Sequence, residues 1–229
     1  MSSRIIFDAS TLISLSEKCF FGLLERIQDH SNARFLISQS VWKETVEVPQ
    51  RIKRFELNAE RVKEAVETGW LEIVQPTAET KKLAAQVAEW SNHCFFIENN
   101  PLTILQAGEI ESMALFLSLK AHALAIDERT ARMLIEEPTR LQNYIGMKHD
   151  KKIQKNESNL QAIQKTFQKM VIVRSSDLLA WAYQHGLFKF ELDQSSHALE
   201  AALYAVKFSG CSISGEEIDS YVKRTGKKT

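Results

Sequence analysis

The chain has 229 residues, of which 44% are hydrophobic, and its 29 acidic and 29 basic residues give a formal net charge of zero. This length suits one large domain or one domain with an appendage, and the hydrophobic content excludes a disordered chain. A net charge of zero supplies no overall attraction for nucleic acid, but it is compatible with an acidic metal site that peripheral Lys and Arg offset.

The cysteines and the start of the chain indicate its compartment. Three cysteines without CxxC spacing argue against a zinc site or disulfide framework and favour a reducing cytoplasm. The first residues do not form a signal peptide, because their short apolar run ends at Asp8. No stretch approaches the ~18 apolar residues of a membrane span. We therefore expect a cytoplasmic protein without membrane contact.

Short apolar runs alternate with helical patterns along the chain. The runs predict strands at residues 4–7, 34–37, 70–74, 121–126 and 170–173. Helical spacing predicts helices at residues 19–27, 41–46, 50–67, 78–91, 109–119, 128–136, 178–185, 195–207 and 215–224. Alternation of this kind predicts a parallel sheet with helices on both faces. The expected fold is a three-layer α/β/α sandwich with a central, mostly parallel sheet and extra C-terminal helices.

Two segments exceed this alternating pattern. The stretch at about 137–170 is polar and rich in Lys, Gln and Asn, and its spacing predicts a helical insertion. We expect residues 1–190 to form the α/β domain, including that insertion, and residues 191–229 to form a C-terminal helical extension.

Two acidic residues directly follow predicted strands. Asp8 follows the first strand and Asp127 the fourth, and ligands of parallel sheets bind beyond the carboxyl ends of the strands. A carboxylate beside an apolar core is costly unless it is paired or binds a metal. The alternative is that each Asp caps a helix. This alternative is weaker for Asp8, because Ser10 is also a suitable cap.

Three glutamates add to this set. Glu44 lies in the helix after the second strand, whereas Glu109 and Glu111 open the helix before the fourth, where a negative charge contributes about 0.3–1 kcal/mol without any function. Residues two positions apart on a helix differ by about 200°, so one of these two ligates an ion while the other orients it or faces solvent.

Carboxylates gathered at one end of a sheet repel one another unless divalent cations are bound. Hard oxygen ligands favour Mg²⁺ or Mn²⁺, and the matching chemistry is two-metal phosphoryl transfer.

Four segments resemble the PIN domain family. They are IIFDASTLI at 5–13, ISQSVWKE at 37–44, GEIESMAL at 108–115 and AIDERTAR at 125–132. The last two resemble the GE-x-E helix and the DD-x-x-(A)-R strand end of VapC-like prokaryotic PIN ribonucleases. The resemblance covers roughly residues 4–135 and extends weakly to 171–187. It implies a Rossmann-like sandwich and metal-dependent cleavage of RNA that leaves a 3′-hydroxyl and a 5′-phosphate.

The resemblance also implies roles for single residues. Asp8, Glu44 and Asp127 match the first, second and last acids of the family, and Glu111 matches the third, with Glu109 as its rival. Ser10 matches a small polar residue that supports the first Asp. Arg132 matches a basic position that contacts phosphate, although an ordinary surface arginine fits equally well.

The expected partners are an RNA substrate, an antitoxin or other protein partner, and a second copy of the chain in a homodimer. The third acid is Glu where the toxins have Asp, which leaves the number of metal ions open. Two rival functions remain: a degenerate PIN-like interaction module and a phosphatase of the haloacid-dehalogenase type. The phosphatase needs a second Asp two residues after the first, where Ser10 stands.

Overall fold

The computed structural model describes residues 3–225. Its strands are β1 (Arg4–Phe7), β2 (Arg34–Ser38), β3 (Leu71–Val74), β4 (Phe95–Ile97), β5 (Asn100–Pro101), β6 (Ala123–Ala125), β7 (Gln154–Lys155) and β8 (Val171–Val173). Its helices are α1 (Ala9–Glu17), α2 (Phe21–Ser31), α3 (Gln39–Trp42), α4 (Glu56–Glu67), α5 (Ala78–Asn92), α6 (Ala107–Ser118), α7 (Arg129–Glu136), α8 (Pro138–His149), α9 (Glu157–Phe167), α10 (Ser175–Gln184), α11 (Ser196–Phe208) and α12 (Gly215–Thr225).

The main sheet is parallel and has the strand order β3-β2-β1-β6-β8. The chain builds outward from β1 to β3 on one side and then crosses to β6 and β8 on the other. The order therefore reverses between β1 and β6, and ligands of parallel sheets bind at the carboxyl ends of the strands at such a reversal.

Two hydrophobic clusters cover the two faces of this sheet. Phe7 and Ile37 belong to the cluster that also contains side chains of α1, α2, α10 and α11. Ile6 and Leu36 belong to the cluster formed with α5 to α9. Neighbouring residues in a strand point to opposite faces, so strands buried on both faces are continuous apolar runs. The predicted α/β/α sandwich with additional C-terminal helices is confirmed.

The connection after β2 differs from the predicted helices. The predicted helix at 41–46 is split into α3 and a π-helical turn at Lys43–Glu47. The predicted helix at 50–67 begins only at Glu56, because a 3₁₀ turn at Pro49–Arg51 and an extended Ile52 precede it. It ends where Gly69 adopts a φ of +87°, a conformation that only glycine adopts without strain.

The segment at 137–170 contains α8 and α9, and its β7 joins β4 and β5 in a small antiparallel sheet. The sequence patterns do not predict this sheet, since its strands are two or three residues long.

Side chains of α11, and Ile218 of α12, share the hydrophobic cluster of α1 and α2. The division at residue 190 stays a prediction, and residues 1–2 and 226–229 of the two predicted parts lie outside the described residues. No described helix is long and apolar enough to cross a lipid bilayer.

Candidate active site

Asp8 lies directly after β1, where the strand order reverses, and its side chain is buried. Its Oδ2 atom accepts hydrogen bonds from the Ser10 amide at 3.0 Å and the Ser10 hydroxyl at 2.7 Å, which caps α1. Its Oδ1 atom is buried and has no hydrogen-bond partner among the described residues. Asp8 therefore acts as a helix cap and still keeps one oxygen available for a ligand.

The surroundings of Asp8 also affect its charge. Burial raises the pKa of this carboxyl, the hydrogen bonds from Ser10 and Ala9 oppose the rise, and the charge of Glu128 adds to it. A cation bound beside Asp8 would stabilise the ionised form that burial disfavours.

Glu44 lies on the π-helical turn, a rare geometry that occurs frequently at functional sites. A Cβ atom placed on Gly108 would lie 2.8 Å from both carboxylate oxygens of Glu44, so glycine at 108 allows this carboxylate to reach the first turn of α6. Burial of the carboxyl and the charges of Asp8 and Glu111 raise the pKa of Glu44, while hydrogen bonding from the Gly108 backbone lowers it.

Glu109 is 8% exposed, and its Oε2 atom accepts a hydrogen bond from the Gln106 amide at 2.7 Å, which completes the capping box of α6. Burial raises the pKa of Glu109 to about 8, and the charges of Asp8, Glu128 and Glu44 contribute to the rise. Without a cation nearby, this carboxyl is therefore mostly protonated at neutral pH.

Glu111 makes a different contact from Glu109, as their separation on the helix requires. Its Oε2 atom accepts a hydrogen bond from the Ser40 amide at 2.7 Å, at the start of α3. Its charge also raises the pKa of Glu44. Glu111 thus joins α6 to the segment that carries Glu44.

Asp127 is completely buried after β6, and both of its carboxylate oxygens accept hydrogen bonds from Ser175. Oδ1 accepts from the Ser175 amide at 2.8 Å, and Oδ2 accepts from the Ser175 hydroxyl at 2.6 Å. The amide of Asp127 donates to the Ser10 hydroxyl at 3.0 Å. The side chain of Asp127 is therefore engaged at the start of α10.

Glu128 was not among the residues singled out from the sequence. Its charge raises the pKa values of Asp8 and Glu109, so it lies with them at the site. Its Oε2 atom accepts a hydrogen bond from the Ala131 amide at 2.7 Å and caps α7. Its place directly after Asp127, beyond the carboxyl end of a strand of the parallel sheet, is the sequence signal that could have identified it.

Arg132, predicted to contact phosphate or lie on the surface, contacts the C-terminal part of the chain. Its Nη1 atom donates to the Ser212 carbonyl at 2.8 Å, and its Nη2 atom lies 3.5 Å from Glu136 Oε2. Its guanidinium group is thus used to hold the loop before α12.

The carboxylates fit a hard divalent cation by their chemistry. Asp8, Glu44, Glu109 and Glu128 offer only oxygen ligands, their charges destabilise one another, and Asp8 Oδ1 is a buried acceptor without a partner. None of these four forms an ion pair with a Lys or Arg within residues 3–225. In that same part of the chain, no three His, Cys, Asp or Glu residues already stand in coordination geometry. The acids therefore lie near one another but not at metal-ligand distances.

Comparison with known proteins identifies the family. A family model described as a PIN domain matches residues 4–138, which is more than half of the chain. No curated protein and no solved structure matches the chain significantly. The match does not distinguish the VapC-like toxins from other members, so that finer resemblance stays a prediction. The chain belongs to the PIN domain family, whose members are generally nucleases.

Proposed function

We propose that the protein is an endoribonuclease that hydrolyses RNA phosphodiesters with Mg²⁺ or Mn²⁺. The observation that carries the proposal is the buried Oδ1 atom of Asp8, which has no hydrogen-bond partner among the described residues. The charge of Asp8 raises the pKa values of Glu44 and Glu109, and none of the three has a basic partner within residues 3–225. A protein-binding module has no need to keep repelling carboxylates together at the reversal point of a sheet. Nuclease activity agrees with the family, and the choice of RNA rests on the resemblance alone.

We assign Asp8, Glu44, Glu109 and Glu128 as the residues that would hold the metal. A bound divalent ion would lower the pKa of the attacking water and stabilise the leaving oxygen. Ser10 holds Oδ2 of Asp8 and leaves Oδ1 free for a ligand. In this assignment Glu109, and not Glu111, is the third acid of the family.

Glu111 and Asp127 then act as positioning residues. Glu111 holds the start of α3 through the Ser40 amide, and the turn that carries Glu44 follows directly. Asp127 holds the start of α10 and, through its own amide, the Ser10 hydroxyl that donates to Asp8. We do not assign Asp127 as a direct metal ligand, because both of its oxygens already accept hydrogen bonds from Ser175.

Replacing Asp8 tests the chemistry. Asp8→Asn should reduce Mn²⁺-dependent cleavage of a single-stranded RNA by about 10³-fold or more, because an amide is a poor metal ligand. The fold should remain, since Asn is as good a helix cap as Asp. Asp29→Asn on the exposed face of α2 makes the same chemical change away from the site and should retain full activity.

Three outcomes would contradict the proposal. Cleavage by Asp8→Asn at the wild-type rate would exclude the site. No cleavage by the wild type of any RNA with either metal would favour the interaction module. Hydrolysis of a phosphate monoester, but not of RNA, would favour the phosphatase.

The resemblance to VapC-like proteins extends the proposal to a toxin with an antitoxin partner, or alternatively to an RNA-processing factor. A toxin should arrest growth when it is expressed, and Asp8→Asn should not. The proposed homodimer is tested by light scattering at micromolar concentration, where a monomer alone would refute it.

A further inference from the structure

A cavity of about 270 Å³ lies beside the proposed metal ligands. Glu109 and Glu128 line it on one side, and α8 contributes Tyr144, Lys148 and His149. Helix α8 belongs to the segment at 137–170, and its Leu141 and Ile145 pack in the hydrophobic cluster on one face of the sheet. The cavity therefore joins the candidate active site to residues of α8 outside that cluster.

The α8 side of the cavity differs in chemistry from the acidic side. Lys148 is exposed, and within residues 3–225 no carboxylate forms an ion pair with it. The ring of Tyr144 is half-buried, and the guanidinium of Arg129 lies over it, with Cζ 5.1 Å from the ring centroid. Arg129 directly follows Glu128 in the chain, so the cation–π pair lies next to one of the proposed metal ligands.

These two kinds of group match the two parts of a nucleotide. Aromatic rings and guanidinium planes are surfaces on which unpaired bases stack, and a lysine without a carboxylate partner attracts backbone phosphate. We propose that this cavity binds the nucleotide next to the scissile phosphate of a single-stranded RNA. Its base stacks on Tyr144, and Lys148 contacts a neighbouring phosphate.

The size of the cavity suits a single base. Its volume is near the lower end of the ~300–1,000 Å³ of pockets that enclose drug-sized ligands. A base must be unpaired to enter such a pocket and stack on a side chain. The segment at 137–170 thus becomes a substrate-binding element of the nuclease.

This inference rests on the proposed function for its biological meaning, but binding can be measured without catalysis. We would measure the fluorescence anisotropy of a short labelled single-stranded RNA at low salt with EDTA, so that no metal-dependent cleavage occurs. Tyr144→Leu should weaken binding by about fivefold or more, as loss of one stacked base predicts. Tyr144→Phe keeps the ring and should bind like the wild type.

Lysine variants provide a test that does not depend on a half-buried residue. Lys148→Ala should weaken binding by about threefold and lower the dependence of log Kd on log salt by about one unit. Lys165→Ala, on the exposed face of α9 in the same insertion, removes the same charge outside the cavity and should change nothing. Photo-crosslinking of an RNA that contains 4-thiouridine should yield a modified peptide with Tyr144.

The outcomes separate this inference from the proposed activity. Equal binding by Lys148→Ala and Lys165→Ala, or equal binding of duplex and single strand, would overturn the cavity as an RNA site even if the enzyme cleaves RNA. Weaker binding by Lys148→Ala and Tyr144→Leu, with crosslinking at Tyr144, would support it even if no cleavage is found. A clear preference for single-stranded DNA would overturn the assignment to RNA.

Discussion

Asp8 and Asp127 follow neighbouring parallel strands, β1 and β6, yet their carboxylates have opposite surroundings. Asp8 keeps a buried oxygen without a hydrogen-bond partner among the described residues, and burial raises its pKa. Both oxygens of Asp127 accept hydrogen bonds from Ser175. A position at the end of a strand therefore brings a carboxylate to the site, but the donors of the neighbouring elements decide whether it remains free for a ligand.

The difference extends to the surroundings of the two residues. Around Asp8 lie further carboxylates. Beyond Asp127 lies the loop before α12, where the Ser212 amide donates to the Asp127 carbonyl at 3.3 Å. Arg132 and Arg174 both donate to the Ser212 carbonyl. The surroundings of Asp8 are suited to binding a cation, whereas the contacts around Asp127 hold the C-terminal helices against the domain.

The largest expected effect on stability tests this contrast directly. Asp127→Ala leaves the Ser175 amide and hydroxyl without their acceptor in a buried place, so the free energy of unfolding should fall by about 3–5 kcal/mol. Asp8→Asn should cost little in metal-free buffer, since it removes a buried charge and keeps the cap. Urea unfolding of both variants measures the two changes.

Asp127→Asn serves as a control, because it keeps one acceptor and should fall between the wild type and Asp127→Ala. The contrast would be wrong if Asp8→Asn were as destabilising as Asp127→Ala without metal. It would also be wrong if Asp127→Ala left the urea midpoint unchanged.

The pH dependence of stability gives the next largest effect. The pKa of Glu109 is raised from 4.5 to about 8 in the folded chain, so between these values the folded state holds a proton that the unfolded state has lost. The contribution of Glu109 to the free energy of unfolding is fully present below about pH 4.5 and is lost as the pH rises to about 8. The loss should amount to about 2–4 kcal/mol without metal.

The measurement is urea unfolding of the metal-free protein from pH 5 to about pH 9. Glu109→Gln removes the titration but keeps an oxygen for the Gln106 amide, so its stability should change less over this range. Mn²⁺ should restore stability to the wild type most strongly at high pH, because binding requires the ionised carboxylate. A wild-type protein that becomes more stable throughout this range would contradict the assignment.

Much of the fold was visible in the sequence, because strands buried on both faces are continuous apolar runs and helices alternate with them. The sequence predicted only part of the candidate site. The positions of Asp8 and Glu109 indicated an acidic group, but contacts from distant residues decide their roles. Asp127 accepts hydrogen bonds from Ser175, which lies 48 positions away in the chain. Glu111 accepts one from Ser40, which lies 71 positions away. No local pattern predicts such pairs.

Two further features of the structure could not be predicted from sequence patterns, for different reasons. The π-helical turn that carries Glu44 has the same apolar spacing as an ordinary helix over five residues. The turn between β4 and β5 places Glu98 and Asn99 at positive φ, and β7 joins that hairpin from a distant segment. Strands this short show no alternation, so their pairing depends on the tertiary fold.

The smallest expected effect concerns Ser10, which connects the two acids. Its hydroxyl donates to Asp8 Oδ2 and accepts from the Asp127 amide, so Ser10→Ala removes one bond on each side. The free energy of unfolding should fall by about 1–2 kcal/mol, because the Asp127 amide then lacks its acceptor. The pKa of Asp8 should also rise further, since the Ser10 hydroxyl lowers it, and cleavage should then require a higher pH.

Ser10→Thr keeps a hydroxyl at this position and should restore most of both effects. The two readouts distinguish the two sides of Ser10: unfolding reports its contact with Asp127, and the pH profile of cleavage reports its contact with Asp8. If stability fell but the pH profile of cleavage stayed the same, Ser10 would matter only through its contact with the Asp127 amide. The pKa of Asp8 would then not depend on the Ser10 hydroxyl.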